Sequence, residues 1–125
     1  MKQDLFDSLK KRFPQLYSQL HSIDCDDGWY NLIQGLSHSI ELHIDYLPPD
    51  LMGKIFAVQV KEKFGGLRFY VNHGTPYIDG AINMAEAVSY YTCESCGNLG
   101  SQRTIKGYMF VACDIHYEEK KASRI

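Results

Sequence analysis

The sequence contains no run of eighteen apolar residues and so offers no helix able to span a bilayer. Its opening residues, MKQDLFDSLKKRF, mix acidic, basic and apolar side chains and do not lead into an apolar core. A cytosolic (cytoplasmic) protein with no membrane association is therefore expected. Charge of one sign is lacking too: the formal net charge is −2, which excludes a strongly basic nucleic-acid footprint over the chain as a whole. Internal repeats, low-complexity tracts and long linkers are missing. No G-x-S-x-G, phosphate-cradling P-loop or dinucleotide fingerprint occurs. What is present is 125 residues, 45% hydrophobic and 22% charged, enough for one globular domain with a modest core.

Cysteine is scarce, with four in the chain, and their placement is informative. Cys93, Cys96, Cys113 and His116 read C-x2-C, a gap, then C-x2-H, the spacing with which two close pairs converge on one tetrahedral zinc ion. Four protein ligands leave no open position for water or substrate, so the expected cofactor is one structural Zn2+. Cys25 lies far from the set, in Asp24-Cys25-Asp26-Asp27, where neighbouring carboxylates would raise its thiol pKa. It reads as a packing residue, and reduced thiols fit a cytosolic setting better than two disulfides do.

Residues 3–22 place Leu5, Phe6, Leu9, Phe13, Leu16, Tyr17 and Leu20 at threes and fours, predicting a helix with a bend or restart at Pro14. A second apolar stripe, from Trp29 through Leu32, Ile33, Leu36 and Ile40, follows Asp26, Asp27 and Gly28. It predicts a helix capped by those residues that ends near Tyr46, before Pro48-Pro49. Residues 77–91 carry a third helical pattern that leads into Cys93.

Between these, residues 55–71 change to a period of two and predict a β-hairpin. With Gly65-Gly66 as the turn, Phe64 faces Leu67, Glu62 faces Phe69 and Val60 faces Val71. One face would hold Phe56, Val58, Val60, Phe64, Leu67, Phe69 and Val71, the other Gln59, Lys61, Lys63, Arg68 and Tyr70. Glu62 falls on the apolar face, where it needs either a bulge or altered register, or a buried partner.

From Gly100 to Ala112 two short strands turning at Lys106-Gly107 are expected, and Cys113 to Glu118 suit the first turns of a helix. Knuckle, hairpin and a helix bearing the last two ligands is the order of elements in the treble-clef zinc finger, which residues 92–121 resemble. Some treble clefs are nucleases of the His-Me type, with a histidine on the hairpin as general base. The hairpin here has no histidine, and His116 is committed to metal. His38 and His43 are five apart and do not match H-E-x-x-H. The expected architecture is α+β: an N-terminal body over residues 1–91, with helices packed on the hairpin, and a zinc unit over residues 92–125.

The segment Lys61 to Tyr70 (KEKFGGLRFY), an alanine-rich helix ending in Ser89, and the C-E-x-C-G knuckle together resemble a group of small uncharacterised proteins of bacteria and their phages. That resemblance implies a setting in which inhibitors and immunity-type factors act by binding other proteins. The favoured reading is a non-enzymatic protein-interaction module. Lys61, Lys63, Arg68 and Tyr70 form its contact face, with Tyr77, Tyr90 and Tyr91 nearby. A second reading is weak nucleic-acid binding by the same face with Arg103 and Lys106. A third is an enzyme whose cleft would gather Glu62, His73 and Asp79.

Overall fold

The computed structural model describes residues 1–123; the last two positions of the unit expected at 92–125 lie outside the described residues. The chain runs through α1 (Gln3–Arg12), a 3-10 turn (Asp27–Trp29), α2 (Tyr30–Ile44), the single-turn α3 (Pro49–Met52), β1 (Phe56–Lys63), β2 (Gly66–Asn72), α4 (Pro76–Ser89), β3 (Ser101–Ile105), β4 (Tyr108–Ala112) and α5 (Asp114–Ser123). The architecture is α+β, with two separate antiparallel hairpins, β1–β2 and β3–β4. No helix among the described residues is long and apolar enough to cross a membrane.

The expected long first helix is shorter than its periodicity. α1 stops at Arg12 because Phe13, preceding Pro14, leaves the helical region with φ −128° and ψ 64°. Residues 14–19 continue as turns. These still deliver the apolar positions inward: Phe6, Leu9, Phe13, Leu16, Tyr17 and Leu20 are all buried. Tyr17 stands edge-on between Phe6 and Phe69, with ring centroids 6.4 Å away on either side.

α2 begins one residue later than expected, after the 3-10 turn, and neither Asp26 nor Asp27 caps it through a side chain. Asp27 instead accepts the Lys2 amide at 2.8 Å. α4 is capped by Thr75, whose hydroxyl accepts the Ile78 amide at 3.2 Å.

The β1–β2 register differs from the expected one by two residues, because the turn lies one position earlier. The turn residues are Phe64 and Gly65, both at positive φ (52° and 86°), so Lys63 pairs with Gly66, Glu62 with Leu67 and Val60 with Phe69. Two consecutive left-handed residues are what a two-residue hairpin needs to match strand twist, and Gly66 is left free to pair. A bulge between Ala57 and Gln59 makes Val58 the extra residue. It turns Ala57 inward and Val58 to solvent, against the expected face; Phe64 is also exposed, and Phe56 is half-buried. Glu62 keeps its place beside Val60 and Leu67. It is accommodated by the turn, since its Oε2 accepts the Gly65 amide at 2.7 Å.

Both edges of this hairpin are partly occupied. Asp24 lies along β1, exchanging hydrogen bonds with Val60 and Glu62 at 2.9 and 3.0 Å. α4 lies along β2, with Ser89 Oγ accepting the Leu67 amide at 3.0 Å.

Candidate metal centre

The knuckle after α4 is formed by backbone bonding. The Cys93 amide donates to the Asn98 carbonyl at 2.7 Å and the Gly97 amide to the Cys93 carbonyl at 2.8 Å, with Gly97 at φ 83°. β3 and β4 follow in the expected register around Lys106-Gly107, and α5 starts directly after Cys113. Knuckle and helix start thereby bring Cys93, Cys96, Cys113 and His116 together, with one ligand atom from each inside a group no wider than 4.8 Å.

The edges of this group can be tested against an ion at their centre. Tetrahedral bonds of about 2.3 Å to sulfur and 2.0–2.1 Å to nitrogen require edges of roughly 3.8 Å between sulfurs and 3.6 Å between sulfur and nitrogen. Cys96 Sγ and Cys113 Sγ are 3.9 Å apart, and His116 Nδ1 lies 3.6 Å from Cys93 Sγ and 3.2 Å from Cys113 Sγ. These four residues fit one metal ion. Burial opposes a thiolate at Cys93, but amides of Cys113, Cys96 and Ser95 directed at its sulfur outweigh it and bring the thiol down to about 7. His116 would hold an ion through Nδ1 in this geometry, which leaves Nε2 facing Glu119 at 3.8 Å, the outer carboxylate that commonly orients a ligating imidazole.

The unit is stitched to the body through contacts that sequence reasoning did not foresee. Glu94, between the first two cysteines, is buried, and its Oε2 accepts the Asp26 amide at 2.9 Å while its carbonyl accepts the Gly28 amide at 2.7 Å. Trp29 donates its indole N–H to the Thr92 carbonyl at 3.0 Å. The bend at Gly65 rests against the backbone of Phe110 in β4, leaving ordinary van der Waals room for no more than a methyl group. Cys25 is buried and its thiol is pushed up to about 12, first by burial and then by the nearby Glu94 carboxylate, in keeping with a packing role.

The residues of the expected contact face share one side of the hairpin. Lys61 pairs with Arg68 and Gln59 with Tyr70, placing these side chains on one side of the sheet, with Lys63 beyond them. Arg68 is engaged within the chain: its Nη1 lies 3.3 Å from Glu86 Oε2 and donates to the Tyr90 hydroxyl at 3.3 Å. Lys63, by contrast, is exposed and lies over the Phe64 ring, 5.6 Å from its centroid. Phe64 borders an open groove of about 660 Å³ with Tyr90, Tyr91, Gln102 and Met109. Tyr77 sits elsewhere, stacked on His43 at 4.4 Å.

Arg103 is likewise engaged, with Asp114 at 2.8 Å and the Tyr117 ring at 4.6 Å; Lys106 forms the β3–β4 turn at φ 51°. Glu62, His73 and Asp79 are not gathered. Glu62 sits beside the hairpin turn opposite Leu67, whereas His73 follows Asn72 at the other end of β2, six residues or roughly 20 Å further along the strand. No family model, curated protein or solved structure matches this chain.

Proposed function

We propose that this is a zinc-stapled protein-interaction module that presents the tip of its first hairpin to a partner protein. Zinc is the ion assigned to the four-ligand centre because three thiolates and an imidazole in a tetrahedron favour it over harder cations, and a closed ligand set makes its role structural. A reducing cytosolic setting agrees with four free cysteines. An inhibitor or immunity-type role, which the resemblance to small bacterial and phage proteins implies, would be compatible with this reading.

The observation that carries the proposal is Phe64. A phenylalanine at φ 52° occupies a turn position that asparagine, aspartate and glycine favour, at a strain of about 1 kcal/mol or more. The residue is nevertheless 65% exposed, so burial offsets little. A strained, solvent-facing aromatic beside Lys63, Tyr90 and the 67%-exposed Tyr91 has the composition of a binding anchor. Tyr70 and Lys63 extend that surface along the expected face, whereas Arg68 supports it by fixing α4 to β2 through Glu86.

Affinity capture from a bacterial lysate with the wild-type chain and Phe64→Asn in parallel tests the proposal. Asparagine suits the turn, so the variant should fold at least as well yet lose the proteins that the wild type retains. Identical captured sets would overturn the assignment of the hairpin tip.

A further inference from the structure

The outer edge of β2 is satisfied at one end only. The Glu62 amide and the Val60 carbonyl are both bonded to Asp24, so these residues of β1 turn their backbone groups away from β2. Antiparallel pairing of Glu62 with Leu67 and Val60 with Phe69 then turns the backbone groups of Leu67 and Phe69 away from β1, toward α4. Past the bulge the same alternation applies to Val71, because its partner Ala57 donates outward to the Leu16 carbonyl at 2.7 Å.

At Leu67 both groups find partners: Ser89 accepts the amide, and Arg68 Nη1 donates to the carbonyl at 3.3 Å. Further along the strand, no hydrogen bond from α4 reaches the backbone of Phe69 or Val71 among the described residues. Strand and helix part there around a cleft of about 570 Å³, walled by β2 from Arg68 to Val71 on one side and by Asp79, Asn83 and Glu86 on the other. Main-chain donors and acceptors that face an open cleft are a template for another strand.

The charge of the cleft selects what that strand carries. Glu86 is neutralised by Arg68, whereas Asp79 is in no ion pair among the described residues, so the helix wall is acidic overall. Tyr70, at the rim, offers an exposed ring suited to a cation.

We propose that this cleft takes an extended segment of a partner protein as a third strand on β2, with a lysine or arginine of that segment directed at Asp79. The cleft shares Tyr70 with the surface proposed above and borders its groove at Asn83 and Glu86, but it does not depend on the reading of Phe64.

A display library of random nonapeptides, selected on the whole chain with its metal bound, tests the proposal. Selected sequences should share a basic residue, and an enriched peptide should shift the amide resonances of Phe69 and Val71. Asp79→Lys should weaken that peptide about tenfold or more while the protein stays folded, its melting temperature lowered only by the cost of a cation in the first turn of α4, whereas Phe64→Asn should leave its affinity unchanged. The proposal is overturned if no sequence is enriched, if the enriched peptides shift amides elsewhere and spare β2, or if they bind Asp79→Lys as tightly as the wild type.

Discussion

The Gly28 amide donates to the Glu94 carbonyl at 2.7 Å, and this bond locks the start of the second helical segment onto the metal knuckle. The approach is close enough that a Cβ at Gly28 would sit inside van der Waals contact of the Cys93 and Glu94 carbonyl oxygens. Both are backbone atoms and have no rotamer by which to retreat. Gly28→Ala is therefore expected to destabilise the protein by about 2–3 kcal/mol, read as a lower denaturant midpoint. An unchanged midpoint would mean that the two units are not held at this distance.

Chelation is expected to be visible in the fluorescence of the single tryptophan. Trp29 is buried in the body, yet its indole N–H bonds to the residue before the first metal ligand. Stripping the metal with a strong chelator should shift its emission to longer wavelength, and restoring zinc should reverse the shift, because binding and folding are linked at such centres. Cys113→Ser should show the shifted spectrum without chelator. A spectrum indifferent to the metal would place the folding of Trp29 outside the influence of the knuckle.

The strain at Phe64 predicts a stability gain on its removal. Phe64→Asn places in the turn a residue that tolerates left-handed backbone and should raise stability by roughly 0.5–1 kcal/mol, measured by thermal or urea unfolding. A loss of stability would show that the ring contributes to the fold despite its exposure.

Glu41 gives the pH-dependent case. Among the described residues its Oε2 is buried without a hydrogen-bond partner, and burial, followed by repulsion from Asp45, raises its carboxyl above the ordinary 4.5. The folded state therefore holds this proton more tightly than the unfolded chain does. Its contribution is fully present below pH 4.5 and is lost as pH rises through the raised folded value. Glu41→Met should be more stable than wild type at pH 7 and should lose that advantage below pH 4.5, compared by urea melts at both conditions. An equal advantage at both pH values would trace the effect to packing and not to ionisation.

Much of the fold was legible because apolar spacing is a local signal. Phe6, Leu9, Leu16, Ile33 and Ile40 announced their burial by threes and fours, and the four metal ligands announced their convergence by C-x2-C and C-x2-H. The hairpin register was not legible, because two adjacent glycines invite both positions into the turn. Only the tertiary setting, with the bend at Gly65 set against Phe110 and Gly66 beneath the Tyr90 hydroxyl, selects Phe64-Gly65. Val58 was misplaced for the same reason: a bulge follows from how Ala57 meets Leu16 across the chain, which no pattern of period two encodes. Glu94 was overlooked because a glutamate between two cysteines reads as solvated. Its partners, the amide of Asp26 and the amide of Gly28, are distant in sequence.

That distance bears on how the molecule assembles. Asp26 and Glu94 are 68 positions apart, so the clamp between them closes a large loop, with a chain-entropy term that grows only slowly with length but must be met before the contact forms. The knuckle is therefore expected to meet its docking loop late, after the helices and the first hairpin have brought Asp26 and Glu94 near one another. Metal uptake and the last folding step are then expected to share one kinetic phase, which makes the ion a reporter of completed folding as well as a part of the finished structure.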